Sequence, residues 1–216
     1  MKQFLESILP QAWVDAYKIY KNKHTASRVR QKWENAGKPV PPPHIIKQQA
    51  IQYYQKISGY NILVETGTYK GDMMLAQKDH FKKLYSIELS EALFAKAKKR
   101  FQRFPHISLL QGNSGDVIAK VVGELKEPAI FWLDGHYSGG VTAKIEKYSP
   151  VMEELQTLAA NNKPQHIILI DDARGFTGEH GYPTMEEMNQ LTMKYFPGYQ
   201  MHVEADIIRI IPGKIA

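Results

Sequence analysis

Short apolar runs punctuate the middle of this chain at Ile62–Val64, Leu84–Ile87, Ile107–Leu110, Ala129–Leu133 and Ile167–Ile170. They are rich in isoleucine, leucine and valine and lack sustained apolar–polar alternation. Such runs suit strands buried on both faces, as in a parallel sheet covered by helices. Between them, Glu91–Phe104, Val117–Leu125 and Val151–Ala160 space their apolar residues three and four apart, the helical period. Strand–helix alternation of this kind predicts a doubly wound α/β domain. The tail departs from it. Tyr199–Val203 and Ile207–Ile211 read as two strands joined by a tight turn at Glu204-Ala205-Asp206, which makes the end of the sheet antiparallel.

Upstream, the stretch from Phe4 to about Glu34 carries Phe4, Leu5, Ile8, Leu9, Trp13, Ala16, Tyr17 and Tyr20, an amphipathic helical pattern that Pro10 breaks or starts. Gly37-Lys38-Pro39-Val40-Pro41-Pro42-Pro43 is extended, because successive prolines forbid helix. A second helix spans about Ile45 to Ile57 and ends at Ser58-Gly59. The expected division is an N-terminal helical cap with its proline-rich joint over 1–43 and the main domain over 44–216.

At 216 residues, 43% hydrophobic and 23% charged, the chain fits one globular domain with a small appendage. The formal charge of +6 adds a basic surface. Part of it is local: Lys18, Lys21, Lys23, Arg28, Arg30 and Lys32 crowd the first helix, and Lys96, Lys98, Lys99, Arg100 and Arg103 a later one. A solvated face is the simpler reading of both clusters; RNA contact is the alternative. The absence of cysteine rules out disulfides and thiolate metal sites. No segment has the length and apolarity of a membrane span, and the N-terminus lacks a secretory apolar core, so a cytoplasmic protein is expected.

In doubly wound folds ligands bind beyond the carboxyl ends of the strands, at the topological switch point. After the first strand stands Glu65-Thr66-Gly67-Thr68-Tyr69-Lys70-Gly71-Asp72. Gly67 lets the backbone pass close to a ligand, and Gly71 lets the next helix pack tightly. About twenty residues on, Glu88 ends the second strand, where a carboxylate accepts the hydroxyls of a ribose. A dinucleotide site needs G-x-G-x-x-G to cradle pyrophosphate, and this loop lacks it. The acid Glu65 repels pyrophosphate but suits the cationic aminoacyl end of S-adenosylmethionine.

At the other side of the switch point, the fourth run leads into Asp134-Gly135-His136 and the fifth into Asp171-Asp172. Three converging carboxylates need a compensating cation, and all-oxygen ligands select a hard ion such as Mg²⁺. Such an ion lowers the pKa of a bound hydroxyl, and His136 is the candidate general base.

These motifs resemble class I S-adenosylmethionine-dependent methyltransferases. Glu65-x-Gly67-x-x-x-Gly71 matches their first motif, with Thr68 inside it, and Glu88 their ribose-binding acid. Gln111-Gly112-Asn113-Ser114 falls where they surround adenine. The acids resemble those of metal-dependent O-methyltransferases of the catechol and macrocin/mycinamicin sugar types. In the sugar type an Asp-Gly-Asp supplies a metal ligand and then a base, where this chain has Asp134-Gly135-His136. The resemblance implies a Rossmann-like, mostly parallel seven-stranded sheet with an antiparallel C-terminal strand. It implies cofactor contacts at Glu65, Gly67, Thr68, Gly71, Glu88, Asn113, Ser114 and Asp134, metal at Asp134, Asp171 and Asp172, and catalysis by His136 and Asp134. Gly175–Thr184, with His180 and Tyr182, becomes a substrate-side loop.

The expected activity is S-adenosylmethionine-dependent O-methylation of a small molecule or sugar, helped by Mg²⁺ or another hard divalent ion. The acceptor would be acidic or phosphate-bearing. Homo-oligomers would form through the N-terminal helices. The strand-four Asn/Asp-Pro-Pro-aromatic tetrapeptide of base-amine methylation is absent. The alternatives are an RNA or protein methyltransferase, a non-catalytic scaffold on the same fold, and a metal-dependent sugar-nucleotide enzyme.

Overall fold

The computed structural model describes residues 9–134, 149–161, 165–179 and 181–215. Its elements, in chain order, are α1 (Gln11–Asn35), α2 (His44–Ser58), β1 (Ile62–Thr66), α3 (Asp72–Gln77), β2 (Lys83–Glu88), α4 (Glu91–Phe101), β3 (Ile107–Gln111), α5 (Ser114–Glu124), β4 (Ala129–Leu133), α6 (Val151–Ala160), β5 (Ile167–Ile170), α7 (Met185–Tyr195), β6 (Tyr199–Glu204) and β7 (Ile207–Pro212). The seven strands form one sheet in the order β3-β2-β1-β4-β5-β7-β6. The first five pair in parallel, and β7 runs antiparallel to both β5 and β6. The chain order reverses between β1 and β4, which opens the crevice expected of a switch point.

Alternation along the strands sorts the core into two halves. Val64, Phe131, Leu133, Ile168 and Ile170 pack with α5, α6 and α7 on one face. Leu63, Leu84, Ile130, Trp132, Ile167 and Leu169 pack with α2, α3 and α4 on the other. The tail turn is as expected: Ala205 and Asp206 both have positive φ, 54° and 62°, and Glu204 pairs with Ile207 across it. That two-residue geometry follows the right-handed twist of the strands. Helix α7 went unread in the sequence; Thr184 caps it, with a reciprocal capping box to Glu187.

Helix α1 begins directly after Pro10. Its aromatic stripe faces outward, with Trp13, Tyr17 and Tyr20 each more than 60% exposed, while Val14 and Trp33 face in. Polar struts fasten it. Arg100 donates to Asp15 at 2.6 Å and to Asp72 at 2.9 Å, and Lys18 donates to Asp72 at 2.9 Å. Lys18 and Arg100, taken with their clusters as solvated charge, are therefore internal ties between α1, α3 and α4. Among the described residues no helix is long and apolar enough to cross a membrane.

Candidate functional site

Period-two alternation carries each strand's face past its last apolar residue. On the α2–α4 face the series runs Leu63, Glu65; Leu84, Ser86, Glu88; Ile130, Trp132, Asp134; and Leu169, Asp171. The same alternation that buries the core thus delivers four acids to one edge of the sheet. The parallel ladders bring these ends side by side, Glu65 opposite both Ser86 and Trp132, and Asp134 and Asp171 continue the β4–β5 pair. Beyond the strands the bonding persists, with Asp134 N–H donating to the Thr66 carbonyl and Asp171 N–H to that of Leu133.

Glu65 is buried, and Ser86 Oγ donates to its Oε2 at 2.5 Å. The Thr68 hydroxyl lies 2.6 Å from Ser86 Oγ. With the Ser86 proton directed to Glu65, Thr68 is the donor in that contact. Thr68 therefore orients Glu65 through Ser86. Burial holds the Glu65 carboxyl well above the usual carboxylate range, against the Ser86 hydrogen bond and with the charges of Asp134, Glu88 and Asp72 adding. A cationic ligand offsets that burden.

Glu88 is held by backbone. Tyr69 N–H donates to one carboxylate oxygen at 2.7 Å, and Ser90 N–H to the other at 2.9 Å. Each oxygen keeps further acceptor capacity for a hydroxyl. Gly67 makes the loop between them possible at φ 83°. Gly71 sits at φ 74°, and a Cβ there would lie 2.6 Å from the Phe101 ring. At the start of α3 the carboxylate of Asp72 is held by Lys18 and Arg100.

Beyond β3, Asn113 caps α5 by accepting the Gly115 N–H at 3.0 Å. Ser114 is buried beside Glu154 of α6, a residue the sequence reading passed over. Burial pushes the Glu154 carboxyl up to about 7, with the neighbouring Ser114 hydroxyl opposing.

Asp171 and Asp172 meet on a lysine, and Asp134 acts on it electrostatically. Lys47 Nζ of α2 lies 2.6 Å from Asp171 Oδ2 and 3.2 Å from Asp172 Oδ1. Arg174 also reaches Asp172, at 2.8 Å, and binds Asp206. Asp172 has left-handed backbone, φ 56°, and its N–H donates to Asp171 Oδ1. Burial raises Asp134 well above its ordinary range, Asp171 adding to the effect and Lys47 opposing it. Burial likewise lifts Asp171 to about 6 against the pull of Lys47. For Lys47 burial works downward, and the Asp171 charge and hydrogen bond, with Asp172 and Asp134 behind them, overcome it and hold the ammonium above its usual value.

Among the described residues no three His, Asp or Glu side chains are grouped to hold a metal ion. The divalent ion expected at Asp134, Asp171 and Asp172 does not fit the acids as they stand, because Lys47 already engages an oxygen of Asp171 and Lys47 and Arg174 one of Asp172. Tyr182 is half-buried at this mouth and stacks edge-on with Phe176. Burial raises its phenol, a hydrogen bond with Ser149 opposing and the charges of Asp172 and Asp134 adding. His136 and His180, with the rest of 135–148, lie outside the described residues.

No family model and no curated protein matches the sequence. Solved structures match the fold. A putative caffeoyl-CoA O-methyltransferase from Staphylococcus aureus is 15% identical over 93% of this chain and 100% of its own, TM-score 0.54. The S-adenosylhomocysteine-bound methyltransferase PaMTH1 of Podospora anserina is 15% identical over 94% and 97%, TM-score 0.54. The O-methyltransferase TomG of Streptomyces achromogenes, solved with S-adenosylmethionine, is 11% identical over 95% and 100%, TM-score 0.56. Likeness at such low identity is one of architecture: this chain has the fold of the class I S-adenosylmethionine-dependent methyltransferases.

Proposed function

We propose that this chain transfers a methyl group from S-adenosylmethionine to a hydroxyl of a small molecule or sugar. One observation carries the reading: Glu65, Glu88 and Asp134 converge on one face at the β1/β4 switch point, with Glu88 aimed by two backbone N–H groups. In this reading Glu88 accepts the ribose hydroxyls, and Asn113 and Ser114 border the adenine. Glu65, oriented by Ser86 and Thr68, faces the cationic aminoacyl end.

Methyl transfer is an in-line displacement, so positioning carries much of the rate. The acceptor oxygen lies beside Asp134, Tyr182 walls that side, and His136, two residues beyond Asp134, takes the hydroxyl proton. The solved structures of like fold support oxygen as the acceptor atom by their names, which are those of O-methyltransferases. The net charge of +6 favours an acidic or phosphate-bearing acceptor.

Calorimetric titration with S-adenosylhomocysteine tests the reading. Binding of one equivalent in the micromolar range is expected, with the same affinity in EDTA as in Mg²⁺. Absence of binding in both would overturn it.

A further inference from the structure

Three acids at the mouth of a sheet require a positive charge, and the chain brings its own. Lys47 stands one turn before Ile51 and two before Tyr54 on α2, so it shares the stripe that faces the core. Its side chain is only 14% exposed and that of Asp171 only 3%. The ammonium reaches Asp171 and Asp172 at hydrogen-bond distance, and Asp134 acts on it electrostatically. A hard divalent ion asks for something different, near-octahedral oxygens at about 2.0–2.1 Å. Placed on Asp171 Oδ2, it would stand roughly 3–4 Å from Nζ, where like charges repel strongly. Ammonium and divalent ion are alternatives at this place.

We propose that Lys47 is the resident counter-cation of the Asp134–Asp171–Asp172 cluster, in place of a divalent metal, and that it positions this cluster for methyl transfer without one. The inference rests on the methyltransferase reading for its role and on the geometry alone for its site. The reaction balances without metal. The C–S bond breaks with its electron pair passing to sulfur, the acceptor oxygen forms the new C–O bond, and its proton goes to the base. Lys47 keeps its protons throughout and acts as a positioning residue.

The test is Mn²⁺ uptake, read by loss of the free-ion paramagnetic resonance signal, on wild type, Lys47→Met and Lys47→Arg, each saturated with S-adenosylhomocysteine. Wild type and Lys47→Arg are expected to leave the free-ion signal unchanged at micromolar Mn²⁺. Their melting temperatures should be the same in Mn²⁺ and in EDTA. Lys47→Met, with the acids uncompensated, should bind Mn²⁺ about tenfold or more tightly than wild type and melt higher in its presence. Stoichiometric uptake by wild type overturns the proposal, as does a folded Lys47→Met that binds Mn²⁺ no better. Should Lys47→Met fail to fold, wild type and Lys47→Arg decide: silence in both supports the proposal, uptake by either overturns it. Failure of wild type to bind S-adenosylhomocysteine would sink the methyltransferase reading, while the Mn²⁺ comparison, run on the unliganded proteins, still decides the site.

Discussion

Glu88→Gln separates two functions of one carboxylate. In the wild type each oxygen accepts a backbone N–H, from Tyr69 at 2.7 Å and from Ser90 at 2.9 Å. Glutamine keeps the shape but offers one acceptor and one donor, so its NH₂ must face one of those two N–H groups. Both N–H groups are part-buried, so a donor left without an acceptor costs about 1 kcal/mol, the low end of the buried-donor range, or roughly 2–4 °C in melting temperature for a chain of this size. The ribose loses more. One of its two hydroxyls now meets an amide in place of a charged acceptor, and a hydrogen bond to a charged group is worth about 1.5–3 kcal/mol. The dissociation constant for S-adenosylhomocysteine should therefore rise roughly 10- to 150-fold. Calorimetry gives the affinity and a thermal melt the stability, and both belong on the same samples. If the variant melts lower yet binds within a factor of about two, Glu88 supports its loop and holds no ribose, and the reasoning fails.

Gly71→Ala should destabilise by about 1–3 kcal/mol, from left-handed backbone and from overlap with the Phe101 ring; adding Phe101→Leu should restore only the overlap part in a thermal melt. Glu154 sets a pH dependence. Its folded pKa of about 7 lies above the ordinary 4.5, so its stabilising effect is present below that ordinary value and lost as pH rises through about 7. Glu154→Gln should match wild type near pH ~4 and exceed it by about 3 kcal/mol by pH ~8; parallel curves in urea titrations at both pH values would contradict this. Arg100→Met removes the strut between Asp15 and Asp72. Lys18 still neutralises Asp72, so the loss should fall near 2 kcal/mol, below the ~3–5 of a fully buried pair. Hydrogen exchange should report it as faster exchange across α1 and little change in β1 or β4.

The central parallel strands β1, β4 and β5 were legible because they are buried on both faces, which leaves unbroken apolar text at Ala129–Leu133 and Ile167–Ile170. The acids were legible for a related reason: a carboxylate at the end of such a run is conspicuous. Their common face was also written there, since Glu65, Glu88, Asp134 and Asp171 each continue the parity of the core residues before them. Lys47 was not found, because which helix covers which face is a property of topology. Its signal was nonetheless present, a lysine in register with Ile51 and Tyr54 on a core-facing stripe. Helix α7 escaped because its first turns are polar, although Thr184-x-x-Glu187 is a capping box. The first helix misled in the other direction, since Trp13, Tyr17 and Tyr20 make an apolar stripe that the fold leaves exposed. Apolar spacing reports a helix; it does not say which side is covered.

The central claim is that one S-adenosylmethionine lies across the β1/β4 switch point with its ribose on Glu88. A crystal structure of the S-adenosylhomocysteine complex tests it most directly. The account predicts ribose hydroxyls within about 2.6–3.2 Å of the Glu88 carboxylate, the aminoacyl end toward Glu65, and Lys47 still on Asp171. A ligand seated elsewhere, or a ribose turned away from Glu88, would contradict it.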